Sequence, residues 1–188
     1  MREFRQIPVV LVVTEGYTEK TFLNHLRERN MGCSLTVMKS PEANPRKLIG
    51  YTVSQIRNKG IELRRGDRAF CVFDTDYTSQ EDLEKASAQA AKHGIGLIVS
   101  KPCFETVFLA HFGYDLSLLR SPADAQSALK KFIPNYSKTG DYWNLLIGKR
   151  GVAEKALRGC DTAVRLREAD NGSNLFELFD AIEEYQHR

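Results

Sequence analysis

Three short apolar runs, Val9–Val13, Ala69–Phe73 and Ile95–Val99, are each followed by a polar turn and a stretch with helical periodicity. Strands without polar alternation are covered on both faces, and such strands belong to parallel sheets whose crossovers are helices. A fourth, shorter run, Ser34–Met38, falls between the first two. Strand and helix thus alternate four times, and right-handed crossovers build the sheet.

The expected fold class is α/β: a Rossmann-like, four-stranded parallel sheet in the order 2-1-3-4, flanked by helices. It should occupy residues 1–115. Residues 116–188 read as a mainly helical extension packed on it, making a single globule.

The helices carry their own punctuation. Thr18 reads as an N-cap for a helix running to about Arg29, with Glu19 favourable in its first turn. Lys47–Lys59 is the second helix, ended by Gly60. Ser79 and Asp82 have capping-box spacing for a third that stops at Gly94. Lys101-Pro102 ends the fourth strand, and Phe104–Phe112 is a very apolar helix. Beyond Gly113, Ser121 caps a helix with Pro122 at its first position. Asp141–Leu157 follows, with Gly148 and Gly151 weakening its middle. Thr162–Leu166 suits a last strand, and Asn174 caps a final amphipathic helix through Leu175, Leu178, Phe179 and Ile182.

With 42% hydrophobic and 27% charged residues, the chain is neither disordered nor a disulfide scaffold. Cys33, Cys71, Cys103 and Cys160 form no C-x-x-C pair, which argues against a zinc knuckle and for small core residues in a reducing compartment. The run Ile7–Val13 is too short for a signal peptide, and no stretch has the length of a membrane span. The expectation is a cytoplasmic protein with no membrane contact. A net charge of +3 permits a nucleic-acid partner without requiring one.

Chemistry concentrates at the strand ends. Open parallel sheets place ligands at the carboxyl ends of strands where strand order reverses, here between strands one and three. Glu15-Gly16 follows the first strand and Asp74-Thr75-Asp76 ends the third. Residues i and i+2 share a strand face, so the aspartates converge. Two carboxylates about 4–5 Å apart repel by roughly 3–4 kcal/mol at an effective dielectric near 20. A divalent cation reverses that sign, and Mg²⁺, or Mn²⁺, suits a hard oxygen site that keeps waters for a phosphate to replace. Two such ions would suit in-line phosphodiester cleavage. Gly16 would let backbone approach a phosphate at a helix N-terminus. Acid and glycine residues after strands are also ordinary turn residues, so it is their combination that points to a metal.

These segments resemble a known family. VVLVVTEGYTEKTFLNHL is similar to the first motif of Toprim proteins, and FCVFDTD to their D-x-D. IGLIVSKPCFETVFLAHF resembles the S-N-P-C-F-E-x-W segment of the RloB-like branch, with Lys101 in place of Asn and Val107 in place of Trp. NYSK and ADNGSNLFELF resemble its later lysine-bearing and terminal motifs, the second with Gly172-Ser173 in place of Pro-Ser-Thr. The resemblance implies a Toprim fold and a Mg²⁺-dependent nuclease of bacterial anti-phage defence, with an ATPase partner and a nucleic-acid substrate. It assigns metal-holding or catalytic roles to Glu15, Asp74 and Asp76, a supporting catalytic role to Glu105, and phosphate neutralisation to Lys138. Ser100 and His111 are expected beside the site with Gly16, binding phosphate or orienting a carboxylate. Self-association stays open.

Other readings remain. D-T-D-Y-T also fits the nucleophile motif of haloacid-dehalogenase-like phosphatases, although no later acidic motif accompanies it. A regulatory or docking subunit is the non-catalytic alternative. Arg64, Arg65 and Arg68 fall at the amino end of the third strand, on the wrong rim for catalysis. Lys130-Lys131 and Lys149-Arg150, near Phe132, Tyr136, Tyr142 and Trp143, are either solvated or contacts for a nucleic-acid backbone.

Overall fold

The computed structural model describes residues 7–28, 32–76, 78–158 and 171–187. Its sheet has the order β2-β1-β3-β4-β5, formed by β1 (Val9–Thr14), β2 (Ser34–Lys39), β3 (Arg68–Asp74), β4 (Gly96–Lys101) and β5 (Gly172–Ser173). The first four strands are parallel and follow the expected 2-1-3-4 order. The fifth was not foreseen: Ser173 pairs antiparallel with Ser100, and Gly172 with Lys101. Two residues carry no periodicity to read. The strand expected at Thr162–Leu166 lies outside the described residues, as does Cys160.

Alternate side chains of each strand enter different layers. Val10, Val12, Phe70, Val72 and Ile98 join one apolar cluster, and Leu11, Val13, Cys71, Phe73 and Val99 the other. The second layer is closed by α2 (Pro45–Asn58) and α3 (Gln80–His93), through Leu48, Ile49, Leu83, Ala86 and Ala90. The first is closed by α1 (Tyr17–Asn24) and α4 (Glu105–His111), together with the later helices α5 (Pro122–Leu129), α6 (Trp143–Leu146), α7 (Arg150–Leu157) and α8 (Leu175–Glu183). The helices after residue 116 therefore share one core with α1 and α4, and burying that many Leu and Phe side chains at about 1.5–3 kcal/mol each holds them there.

Local chemistry sets the helix ends. Asn44 accepts from the N–H groups of Arg46 and Lys47 and so starts α2 with Pro45 as its first residue, two residues before the expected start. Ser79 accepts from Asp82 N at 3.1 Å, as its spacing predicts, and Ser121 does the same for Asp124. Gly94 ends α3 with φ +67°, a conformation that favours glycine.

Three expectations change. The N-cap of α1 is Gly16, not Thr18, whose hydroxyl instead donates to the backbone oxygen of Lys138 at 2.9 Å. The helix over Asp141–Leu157 is broken into α6 and α7 by a 3₁₀ turn, Ile147–Lys149, that contains Gly148. Asn174 holds the N-cap position of α8 but does not cap it. Its amide accepts from Val99 N at 2.7 Å and donates to Leu97 O at 2.8 Å, tying α8 to β4 like a strand residue.

At the amino end of the sheet Arg68 is structural, while Arg64 and Arg65 are exposed. Arg68 reaches Glu184 and the Ala181 carbonyl and lies over the Tyr185 ring. Arg150 likewise bonds Glu183 beside Phe179, while Lys149 sits 4.1 Å from the centroid of Phe112. Arg150 thus ties α7 to α8, while Lys149 stays exposed beside Phe112. No described helix is long and apolar enough to cross a membrane.

Candidate active site: an acidic cleft at the carboxyl rim

At the carboxyl end of the sheet a cleft of about 290 Å³ is lined by Glu15, Gly16, Glu19, Asp74, Asp76, Glu105 and Lys138, among others. Register and pleat bring these groups together. Thr14 pairs with Val72, so β1 and β3 end side by side. Glu15 continues the ladder, donating its N–H to Val72 O at 2.9 Å, and its Oε2 accepts from Asp74 N at 3.3 Å. Asp74 ends the series Phe70, Val72 and so points into the layer that holds α1 and α4. Glu19 enters from the first turn of α1 and Glu105 from the first residue of α4.

Burial sets the electrostatics. Glu19 is 4% exposed and Glu105 2%. The Asp74 carboxyl is enclosed, and its Oδ1 is buried with no hydrogen-bond partner. Its pKa is raised well above the usual carboxylate value, by burial first and then by Glu19, Glu105, Glu15 and Asp76. Burial also raises Glu19 to about 7, assisted by Glu15 and Glu105 and opposed by backbone N–H groups. Glu15 is raised for the same first reason, with Asp76 adding to it, and Lys138 and Lys39 opposing. For Lys138, burial works against the ammonium, but Glu105, Asp74 and Glu19 outweigh it and its pKa rises.

Two residues tie the Lys138 segment to the acids. Tyr136 donates its phenol to Glu105 Oε1 at 2.8 Å, and Thr18 holds the Lys138 carbonyl. Gly16 also lies against the Glu19 carboxylate. A Cβ there would stand 2.3 Å from Glu19 Oε2, so only glycine lets the Glu19 carboxylate fold back over the start of α1.

The cleft thus gathers Glu15, Asp74, Asp76, Glu105 and Lys138, with Gly16 in its wall. It does not gather the other two expected residues. Ser100 pairs with Asp74 in the β3–β4 register but donates its hydroxyl to Ser173 at 3.0 Å, fastening β5. His111, at the far end of α4, places Nδ1 2.8 Å from Val107 O and packs its ring on Phe22. Neither lines the cleft. Glu19 is the member that the sequence reading placed only as a first-turn acid. The signal was Glu15-x-x-x-Glu19 spanning a helix start: one turn of helix returns the second carboxylate to the first.

Among the described residues, no group of three or more His, Cys, Asp and Glu is arranged as a ready-made metal centre. The donor chemistry nonetheless fits a hard divalent ion. Every acid in the cleft offers carboxylate oxygen, and the unbonded Asp74 Oδ1 is a buried acceptor in need of a positive partner.

The model of the RloB-like protein family matches residues 10–178 of this chain, which belongs to that family. No curated protein and no solved structure shows a significant match.

Proposed function

We propose that this RloB-like chain is a Mg²⁺- or Mn²⁺-dependent nuclease that cleaves phosphodiester bonds. The observation that carries this reading is the meeting of two strand ends. The Glu15 carboxylate touches the backbone of Asp74, and the Asp74 carboxyl beside it has a buried oxygen without a partner. Repulsion among these acids is a standing cost that a cation removes.

Glu15, Asp74 and Asp76 are the residues that would hold the ion, which when bound would supply a polarised phosphoryl oxygen and an activated water. The chain's own groups do the rest. Glu19, buried against Glu15 and Asp74, is the carboxyl placed to exchange a proton with water or a leaving oxygen. Lys138 keeps its charge and faces the anionic phosphate. Tyr136 fixes Glu105, which completes the negative wall.

Action in anti-phage defence with an ATPase partner is supported by family membership alone. The test is incubation of the purified chain, with and without a co-expressed ATPase encoded beside it, with DNA, RNA and transfer RNA in Mg²⁺ and in Mn²⁺. Cleavage should vanish in EDTA, in Asp74→Ala and in Glu15→Ala, with no loss of thermal stability in either variant when the proteins are compared in EDTA. Cleavage surviving both substitutions would show that the chemistry is elsewhere.

A further inference from the structure

Tyr17 is the first residue of α1, yet it is 59% exposed, whereas Phe22 and Leu23 one turn on are buried. It lines the acidic cleft, as Glu15 and Asp76 do. Lys39, the last residue of β2, carries its ammonium over the ring at 5.1 Å from the centroid while donating to Ser40 O at 2.9 Å. Lys39 is thus held at the rim by two contacts, close enough for its charge to favour ionised Glu15. Lys138 reaches the same acids from the loop after α5.

A polyanion approaching five carboxylates is repelled, and two lysines do not by themselves offset that. A stacked base adds attraction that does not depend on charge. A phosphodiester reaching Asp74 must enter the cleft, which leaves its base at the mouth, where the Tyr17 ring is offered to solvent. In a duplex that base is buried between its neighbours and cannot lie on the ring. An unpaired nucleotide can.

We propose that Tyr17 is a stacking platform for an unpaired base. On this assignment the substrate class is single-stranded or locally unpaired nucleic acid, with the adjoining phosphates met by Lys39 and Lys138. This rests on the nuclease reading above.

The test is fluorescence anisotropy of the full chain with fluorescein-labelled 12-nucleotide single-stranded DNA and RNA, the matching duplexes, and a duplex with one bulged nucleotide. Ca²⁺ replaces Mg²⁺ to prevent turnover. Single strands and the bulge should bind more tightly than the paired duplexes. Tyr17→Ala should weaken single-strand binding about five-fold or more, while Tyr17→Phe stays within about two-fold. Lys39→Ala should flatten the salt dependence.

Equal binding by wild type and Tyr17→Ala, or preference for the paired duplex, overturns the assignment. If the wild type still cleaves in Mg²⁺, only the platform falls. If it neither binds nor cleaves any of these probes, alone or with the co-expressed ATPase, the nuclease reading falls with it.

Discussion

Tyr136 donates its phenol to Glu105 Oε1 at 2.8 Å, linking a loop that follows α5 to the first residue of α4. Burial first, and then the charge of Glu105, push the phenol pKa upward, so it stays a donor at any working pH. Tyr136→Phe leaves a buried carboxylate short of a partner. Hydrogen bonds to charged groups are worth about 1.5–3 kcal/mol. Stability measured by urea denaturation should fall by that amount, with a larger loss than for Tyr142→Phe, whose hydroxyl serves exposed loop backbone.

Thr18 and Lys138 are 120 residues apart in the chain and meet through the Thr18 hydroxyl and the Lys138 carbonyl at 2.9 Å. Thr18→Val keeps the shape and removes the donor. The loss should be about 0.5–1.5 kcal/mol in stability. Cleavage should drop further than that change in folding explains, because the Lys138 ammonium is then less well held over the acids. A normal kcat in Thr18→Val beside a strongly reduced one in Lys138→Met would show that the tether does not position the lysine.

Much of this was legible in the chain. The apolar runs marked four strands, the 2-1-3-4 order assumed for them is the one observed, and Glu15 with the two aspartates marked the rim where the acids collect. What escaped depended on distant partners. Ser100 lies at the right strand end, but its hydroxyl is taken by Ser173, and a two-residue strand leaves no pattern to predict that. Asn174 has the residue type of a cap, yet β4 needs its amide more than α8 does. Glu19 looked like a first-turn acid favoured by the helix dipole. Only packing against α4 and β3 shows that it is buried among three other carboxyl groups.

That burial predicts how stability responds to pH without metal. Glu19 titrates near its usual value of 4.5 when unfolded and at about 7 when folded. The folded state therefore binds more protons between those values. Its contribution is fully present below pH 4.5 and is lost as pH rises through about 7. The shift corresponds to about 2–4 kcal/mol. In EDTA, thermal unfolding should move to lower temperature between pH 5 and pH 8. Glu19→Gln should flatten that dependence and be the more stable protein at pH 8.

Asp74 separates the metal-free from the metal-bound behaviour of the same cleft. Its carboxyl faces Glu19, Glu105, Glu15 and Asp76, so in the empty cleft its charge opposes folding. Asp74→Asn keeps the size and removes the charge. In EDTA at pH 8 the variant should unfold at a higher temperature than the wild type, since repulsion between close carboxylates of roughly 3–4 kcal/mol per pair is relieved. With millimolar Mg²⁺ or Mn²⁺ the order should reverse: the wild type gains stability by mass action, while the variant, lacking an anionic oxygen at the position of the unbonded Oδ1, gains little. Parallel melting curves in EDTA and in metal read both effects at once. Equal stabilisation of the two proteins by metal would place the ion away from Asp74.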